Sequence, residues 1–232
     1  MAVSAPARTL SLDADGAQLF ASALDDTSLR RIEDALVRAA AGPGARLYDG
    51  LDDIADLFAW DGRIGRIAAA GLGSPAVPVR FILFDKRDGM NWALGLHQDR
   101  TVAVKARREV EGFGPWSVKA GQIHVQPPQA IIDAMITLRV HLDDVDADNA
   151  PLDILLGSHL EGRLVDDAIV ALAGEAEHFR CLAHRGDIWA YRTAIVHGSR
   201  AVRAVGRRRR VLQIDYSSQT LPGGLEWAVT RH

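Results

Sequence analysis

Asn91-Trp92-Ala93-Leu94-Gly95-Leu96-His97-Gln98-Asp99-Arg100-Thr101-Val102-Ala103-Val104 sets His97 two residues before Asp99 in a segment of strand-like composition. Residues i and i+2 of a strand share a face, so the spacing predicts an imidazole and a carboxylate side by side. Such a mixed nitrogen and oxygen pair suits a borderline divalent metal. With one more distant histidine it becomes the two-histidine, one-carboxylate triad that leaves open coordination positions on non-haem Fe(II). His-x-Asp alone arises often by chance, and the rest of the chain must carry the reading.

Strand signals continue on both sides. Val77 to Phe84 is β-branched and aromatic, and Leu94 to Lys105 reads as one strand. Gly121 to Gln126 is another, stopped by Pro127-Pro128, with a short helix near Ile131. Met135 to Leu142 is a long strand before the polar turn Asp143 to Asn149. Asp153 to Leu156, Cys181 to Ala183, Asp187 to Tyr191, Ala194 to His197 and Arg209 to Tyr216 follow, with a helix over Leu164 to Ala173. Toward the N-terminus the texture is helical. Asp26-Thr27-Ser28 offers N-cap residues, Leu29, Ile32, Leu36 and Ala39 recur at helical spacing, and Gly42-Pro43-Gly44 stops the run. Further helices are expected over Leu51 to Phe58 and Ile64 to Ala70. Helices followed by short strands predict a closed or sandwiched antiparallel β-core. The expected organisation is a single domain, helical over about 1–76 and β over about 77–220.

Composition narrows the function classes. The 232 residues suffice for a sizeable core, and 27 basic against 30 acidic residues leave a formal charge of −3. No nucleic-acid or acidic-membrane partner is expected. The single cysteine, Cys181, excludes an intrachain disulfide framework and a multi-cysteine zinc site. No apolar run is long enough to span a bilayer, and Met1 to Leu10 lacks the core of a signal peptide. A cytoplasmic location is the expectation.

Of the eight histidines, His197 stands out, because apolar Ala194-Ile195-Val196 leads into His197-Gly198-Ser199. A small residue beside it leaves room for metal and ligand; the competing reading is a hydrogen-bonded core histidine. Arg207-Arg208-Arg209-Arg210 then precedes the strand Val211 to Tyr216. An inward guanidinium from this run would grip a carboxylate through two parallel hydrogen bonds; a solvated charge run is the alternative.

Taken together, this pattern resembles the Fe(II)- and 2-oxoglutarate-dependent dioxygenases, and its wording resembles the phytanoyl-CoA dioxygenase family, which includes ectoine hydroxylase. The resemblance rests on Phe84-Asp85-Lys86, on Asn91-Trp92 leading into His97-Gln98-Asp99, and on His141-Leu142-Asp143-Asp144 with Asp148-Asn149-Ala150-Pro151-Leu152 behind it. It rests also on Gly157-Ser158-His159, and on Gly186-Asp187-Ile188-Trp189 followed by His197-Gly198-Ser199 and the arginines. These pieces run in the family's order from about Val79 to Tyr216. The family has Gly where Ala150 stands, Pro where Leu156 stands, and often Asn-x-Ser where Val202-Arg203-Ala204 stands.

The resemblance implies a mainly β fold, a double-stranded β-helix (jelly-roll, cupin-like) core with flanking helices. It implies Fe(II) held by His97, Asp99 and His197, with 2-oxoglutarate as cosubstrate and O2 as oxidant. Succinate and carbon dioxide are released, and a small organic substrate is hydroxylated. The far carboxylate of 2-oxoglutarate pairs with Arg208 or Arg209, helped by Ser199; Lys86, Asn91 and Thr137 are further cosubstrate candidates. Counting from His197 gives Arg208. Counting back from Tyr216 gives Arg209, which shares its strand face with Gln213 and Asp215, whereas Arg208 shares a face with Leu212, Ile214 and Tyr216. Trp92, Trp116, His124, Gln126, Arg139 and Tyr191 are weighed as pocket residues, each with a structural role preferred. His159 reads as structural, and His141, on the strand of Arg139 and able to share its face, has no partner at ligand spacing. The competing functions are a non-catalytic metal-binding jelly-roll, a halogenase, against which Asp99 speaks, and a zinc hydrolase, for which no general base is evident.

Overall fold

The computed structural model describes residues 8–39, 44–47, 51–203 and 206–229. In chain order the elements are β1 (Ala17–Phe20), α1 (Asp26–Arg38), β2 (Ala45–Arg46), α2 (Ala55–Phe58), α3 (Gly65–Leu72), β3 (Val77–Lys86), β4 (Leu94–His97), β5 (Val102–Ala103), β6 (Trp116–Lys119), β7 (Gln122–Val125), α4 (Gln129–Asp133), β8 (Met135–His141), β9 (Leu152–Leu155), α5 (Asp166–Glu175), β10 (His178–Cys181), β11 (Ile188–Arg192), β12 (His197–Ser199) and β13 (Arg209–Ser217). A six-stranded sheet runs β1-β11-β8-β13-β3-β2 and a four-stranded sheet runs β10-β9-β12-β4, with β4 on its edge; β5-β7-β6 forms a third. Every pairing is antiparallel. This is the expected jelly-roll core.

α1 starts at Asp26, and its N-cap is Asp25, one residue before Asp26-Thr27-Ser28. The Asp25 carboxylate accepts the Ser28 backbone N–H at 2.8 Å. The helix buries Leu29, Ile32, Ala35 and Leu36. Its expected stop falls on Gly42 and Pro43, outside the described residues. α3 ends on Gly73 at φ +69°, a left-handed cap where a side chain would be strained.

The larger sheet is buried on both faces, and the faces differ in kind. Phe81 and Leu83, Ile136, Leu138 and Val140, Ile188 and Ala190, and Leu212, Ile214 and Tyr216 pack against Leu29, Ile32, Leu36 and Phe58 of the helical layer. Strand alternation sends Arg80, Thr137, Arg139, His141, Tyr191, Arg209, Gln213 and Asp215 to the other face, also buried. An apolar face fixes the helices, and a polar face looks toward the smaller sheet.

Several elements differ from the sequence reading. β1 and β2 lie in the segment expected to be helical and close the two edges of the larger sheet. The expected strand Leu94 to Lys105 is two strands, interrupted at 98–101. Ala194-Ile195-Val196 is a turn, apolar because it is buried, and the strand begins only at His197. β10 begins at His178. β6, largely exposed, offered little hydrophobic alternation to read.

Leu138 lies at 0% exposure in the middle of the apolar face. Leu138→Ala is expected to cost about 2–5 kcal/mol in urea unfolding, while Leu160→Ala, at 71% exposure, should stay within about 0.5 kcal/mol.

Candidate metal centre

His197 opens β12 and His97 closes β4, and the two are direct partners in the ladder. Their ring centroids are 4.5 Å apart. Asp99 follows beyond the end of β4, and one ligand atom from each of the three lies within 4.8 Å of the others. The cluster expected from one strand face is therefore assembled differently, from a cross-strand histidine pair and a loop carboxylate.

Each part has a local cause. Nδ1–H of His97 donates to the Gly95 carbonyl at 2.8 Å, and Nδ1–H of His197 donates to the Ile195 carbonyl at 3.0 Å. The same two-residue reach fixes both tautomers and leaves both Nε2 lone pairs for a cation. Gly198 is required by packing. A Cβ there would come within 2.9 Å of the Leu94 carbonyl, so β4 could not approach β12 this closely. Gln98, between His97 and Asp99, pins the loop. Its amide nitrogen donates to the Gly162 and Ala194 carbonyls at 2.8 Å each, and its oxygen accepts from Leu164 N at 2.9 Å.

Arg80 of β3 holds Asp99. Its Nη2 lies 2.7 Å from Asp99 Oδ2, and its Nε donates to Asp215. Asp215 also accepts from Thr137 at 3.0 Å, and Gln213 accepts from Arg139 at 3.0 Å. Burial opposes charge on Asp99, but the Arg80 guanidinium and the two imidazoles outweigh it and hold the carboxyl well below the ordinary range. Asp215, deeper and facing the Asp99 charge, is instead raised, mainly by burial. Burial lowers His197 to about 4, so its ring is neutral and ready to ligate.

The cluster opens into a cavity of about 520 Å³, whose wall includes Arg139, Ser199, Arg209 and Gln213. The four consecutive arginines divide sharply here. Arg207 pairs with Asp146 at 2.7 Å, Arg208 grips Asp85 with two bonds of 2.7 Å, and Arg210 pairs with Asp143 and Glu33 at 2.6 and 2.9 Å. Arg208 is half exposed on the outside, away from the cavity. Arg209, 1% exposed, turns inward, and its Nε and Nη2 have no hydrogen-bond partner among the described residues. Burial and the nearby Arg139 both push against its charge.

The other candidates separate as well. Ser199 is on the cavity wall, and its Oγ accepts from Lys86 Nζ at 3.0 Å. Lys86 lies behind that wall, lowered to about 7 by burial and then by Arg209 and Arg139. Asn91 clasps the backbone of Val202 with two bonds of 2.8 Å and ties down the loop after β12. Thr137 is buried beneath Asp215 and Thr193, away from the cavity wall. Trp92, Gln126 and Arg139 line the cavity; Trp116, His124 and Tyr191 do not. His141 is buried with its Nδ1 unbonded and kept neutral, and His159 reaches the Asp13 carbonyl at 3.2 Å, remote from the cluster. Arg80 and Gln98 went unread in the sequence. Arg80 had one signal, as the lone charge in the apolar run Val77 to Phe84.

The family described as phytanoyl-CoA dioxygenase matches residues 45–211. Among solved structures, AviO1 from Streptomyces viridochromogenes Tue57 superposes with a TM-score of 0.59 at 20% identity, covering 91% of this chain and 93% of that one. SnoK, described as a non-heme alpha ketoglutarate dependent carbocyclase from nogalamycin biosynthesis, gives 0.63 at 15% identity over 89% and 81%. HygX from Streptomyces hygroscopicus, crystallised with nickel and 2-oxoglutarate, gives 0.59 at 15% identity over 89% and 84%. At these identities the likeness is one of fold. No curated protein sequence matches this one.

Removing Arg80 strands two carboxylates in the interior. Arg80→Ala is expected to cost about 3–5 kcal/mol in urea unfolding and to lower Ni(II) affinity by roughly tenfold to a hundredfold in calorimetry, with Arg80→Lys recovering part of both. Unchanged stability and metal affinity in Arg80→Ala would show that Arg80 does not hold the site together.

Proposed function

The chain belongs to the phytanoyl-CoA dioxygenase family, and from that premise we propose that it is an Fe(II)- and 2-oxoglutarate-dependent oxygenase that hydroxylates a small organic substrate. One observation carries the reading: Arg209, a buried guanidinium whose Nε and Nη2 have no hydrogen-bond partner among the described residues, shares a cavity with a two-histidine, one-carboxylate cluster. A charge in that position calls for a partner, and the far carboxylate of a keto acid chelated at the cluster would supply one.

The residues present fit both groups. His97, Asp99 and His197 would hold Fe(II), the donor set of the facial triad with positions left open. Arg209 would hold the distal carboxylate of 2-oxoglutarate, with the Ser199 hydroxyl beside it. When bound, iron and 2-oxoglutarate would supply oxidising power from O2, with succinate and carbon dioxide as coproducts.

The rest is the work of the chain itself. Arg80 keeps Asp99 ionised and aimed. The backbone carbonyls of Gly95 and Ile195 keep the imidazoles in one tautomer. Thr137 and Asn91 support the site from outside it, the first through Asp215 and the second through the loop after β12. The cavity volume falls in the range of about 300–1,000 Å³ usual for small-molecule sites. Strands from both ends of the described chain, β1 and β13, share one sheet, which supports a single catalytic unit. None of the described helices is long and apolar enough to cross a membrane. A fold shared with a carbocyclase leaves the outcome of oxidation to the substrate's position, so hydroxylation is tested by product mass, as one added oxygen atom.

In anaerobic calorimetry on the metal-loaded protein, Arg209→Ala should weaken 2-oxoglutarate binding by about ten- to a hundredfold, the loss of a charge-assisted pair worth about 1.5–3 kcal/mol. Arg208→Ala, whose partner is Asp85 outside, should change it less than about twofold. Asp99→Ala should abolish succinate release. If Arg208→Ala showed the larger effect, the assignment of the arginine would be wrong. Lys86, lowered to about 7 by burial and then by Arg209 and Arg139, should gain charge when an anion settles beside Arg209. Binding near pH 7.5 should therefore take up a fraction of a proton, seen as a dependence of the binding heat on buffer ionisation enthalpy and absent in Lys86→Met.

A further inference from the structure

The cations of the cavity can be assigned one by one. Arg80 belongs to Asp99 and Asp215, and Arg100 belongs to Asp166 at 2.9 Å. Arg139 rests on Gln213 and on the face of Phe84, and Arg209 is the candidate for the cosubstrate. Two cations are left over.

Arg46 is half-buried on β2, paired across the ladder with Ile82, which also lines the cavity. Its Nε is buried with no hydrogen-bond partner among the described residues. Lys119 stands at the end of β6 on the rim, and its ammonium has a neutral partner, Thr101 Oγ at 2.8 Å. Neither has an acidic partner among the described residues. Arg46 and Lys119 line the same cavity as His97, Asp99 and His197, and there burial, Arg80 and Arg46 weigh against the charge of Lys119 while Asp99 favours it.

We propose that Arg46 and Lys119 form a second anion subsite at the mouth of the cavity, and that the molecule oxidised at the metal carries a carboxylate or phosphate that docks there. This rests on the oxygenase reading above, and it deepens it by giving the substrate a charge. The subsite is distinct from Arg209. In the ladders Arg209 sits opposite Lys86 and Arg46 opposite Ile82, four residues apart along β3, or about 13 Å of strand. An anion held between Arg46 and Lys119 would leave the rest of its molecule in the cavity that His97, Asp99 and His197 also line.

The test uses protein loaded anaerobically with Ni(II) and saturating 2-oxoglutarate, so that Arg209 is occupied. It is titrated calorimetrically with benzoate, phenyl phosphate and, as the neutral control, benzyl alcohol. Both anions, or one of them, should bind at least tenfold more tightly than benzyl alcohol, and the preferred one names the group on the substrate. Arg46→Gln and Lys119→Gln should each weaken anion binding by about tenfold, the effect of one partly exposed charge-assisted contact, with Arg46→Lys recovering part. The 2-oxoglutarate affinity of these variants should stay within about twofold of the parent, which also shows that they are folded. Equal binding of neutral and anionic probes, no binding of either anion, or anion affinity unmoved in both Gln variants would each overturn the subsite. If the parent protein fails to bind 2-oxoglutarate, the oxygenase reading is what fails, and the same anion titrations on the protein without cosubstrate still decide the subsite.

Discussion

One guanidinium carries the interior of this protein. Arg80 is almost fully buried and stands between Asp99 and Asp215, two carboxylates from distant parts of the chain. Leaving a charge in such a place without a partner is costly, so each of the three fixes the other two. Asp215 belongs to β13 and Arg80 to β3, strands locked in register along most of their length. Asp99 belongs to a loop that has no ladder of its own. The ion pair thus transfers the rigidity of the larger sheet to a carboxylate that backbone hydrogen bonds leave unsupported.

The chemistry of the site follows from a sheet with two unlike buried faces. On most antiparallel sheets, alternation separates core from solvent. Here it separates an oily layer under the helices from a charged layer between the sheets. The second layer is tolerable because nearly every member has a partner: Arg80 with Asp99 and Asp215, Thr137 with Asp215, Arg139 with Gln213. Arg209 departs from that rule, and a departure of this kind is where a small molecule is expected to complete the structure.

Much of this was legible beforehand. Much of the order of helices and strands and the alternation of β13 could be read because each rests on local spacing, whereas the trio His97, Asp99 and His197 was named through the family resemblance. What could not be read has a common cause. The His-x-Asp pair was placed on one strand, but Gln98 breaks that strand through bonds to Gly162, Ala194 and Leu164, contacts some 65 to 95 residues distant that no local pattern announces. The choice between Arg208 and Arg209 was open because the loop before them departs from the family's wording. Asp85 and Arg208 grip each other on the outside, which leaves Arg209 as the arginine proposed for the cosubstrate. Asn91 and Thr137 were polar residues in the right neighbourhood, and the structure gives them neighbours other than the cavity. Gly198 was read as making room for a ligand, whereas the room is taken by the backbone of β4.

The position of β4 at the border of its sheet has a consequence of another kind. One side of this strand is zipped to β12, and no described strand pairs with the other. It is also short, and Leu94 at its start is 43% exposed. Protection against hydrogen exchange should therefore be uneven across the two histidine-bearing strands, low on β4 and high on β12, which has neighbours on both sides. Fraying of β4 would carry away His97 while His197, on β12, and Asp99, held by Arg80, stayed in place. A cation bound by all three would then act as a rivet for the weakest margin of the barrel, and the rate at which the site loads and empties would be set by the breathing of four residues rather than by unfolding of the whole.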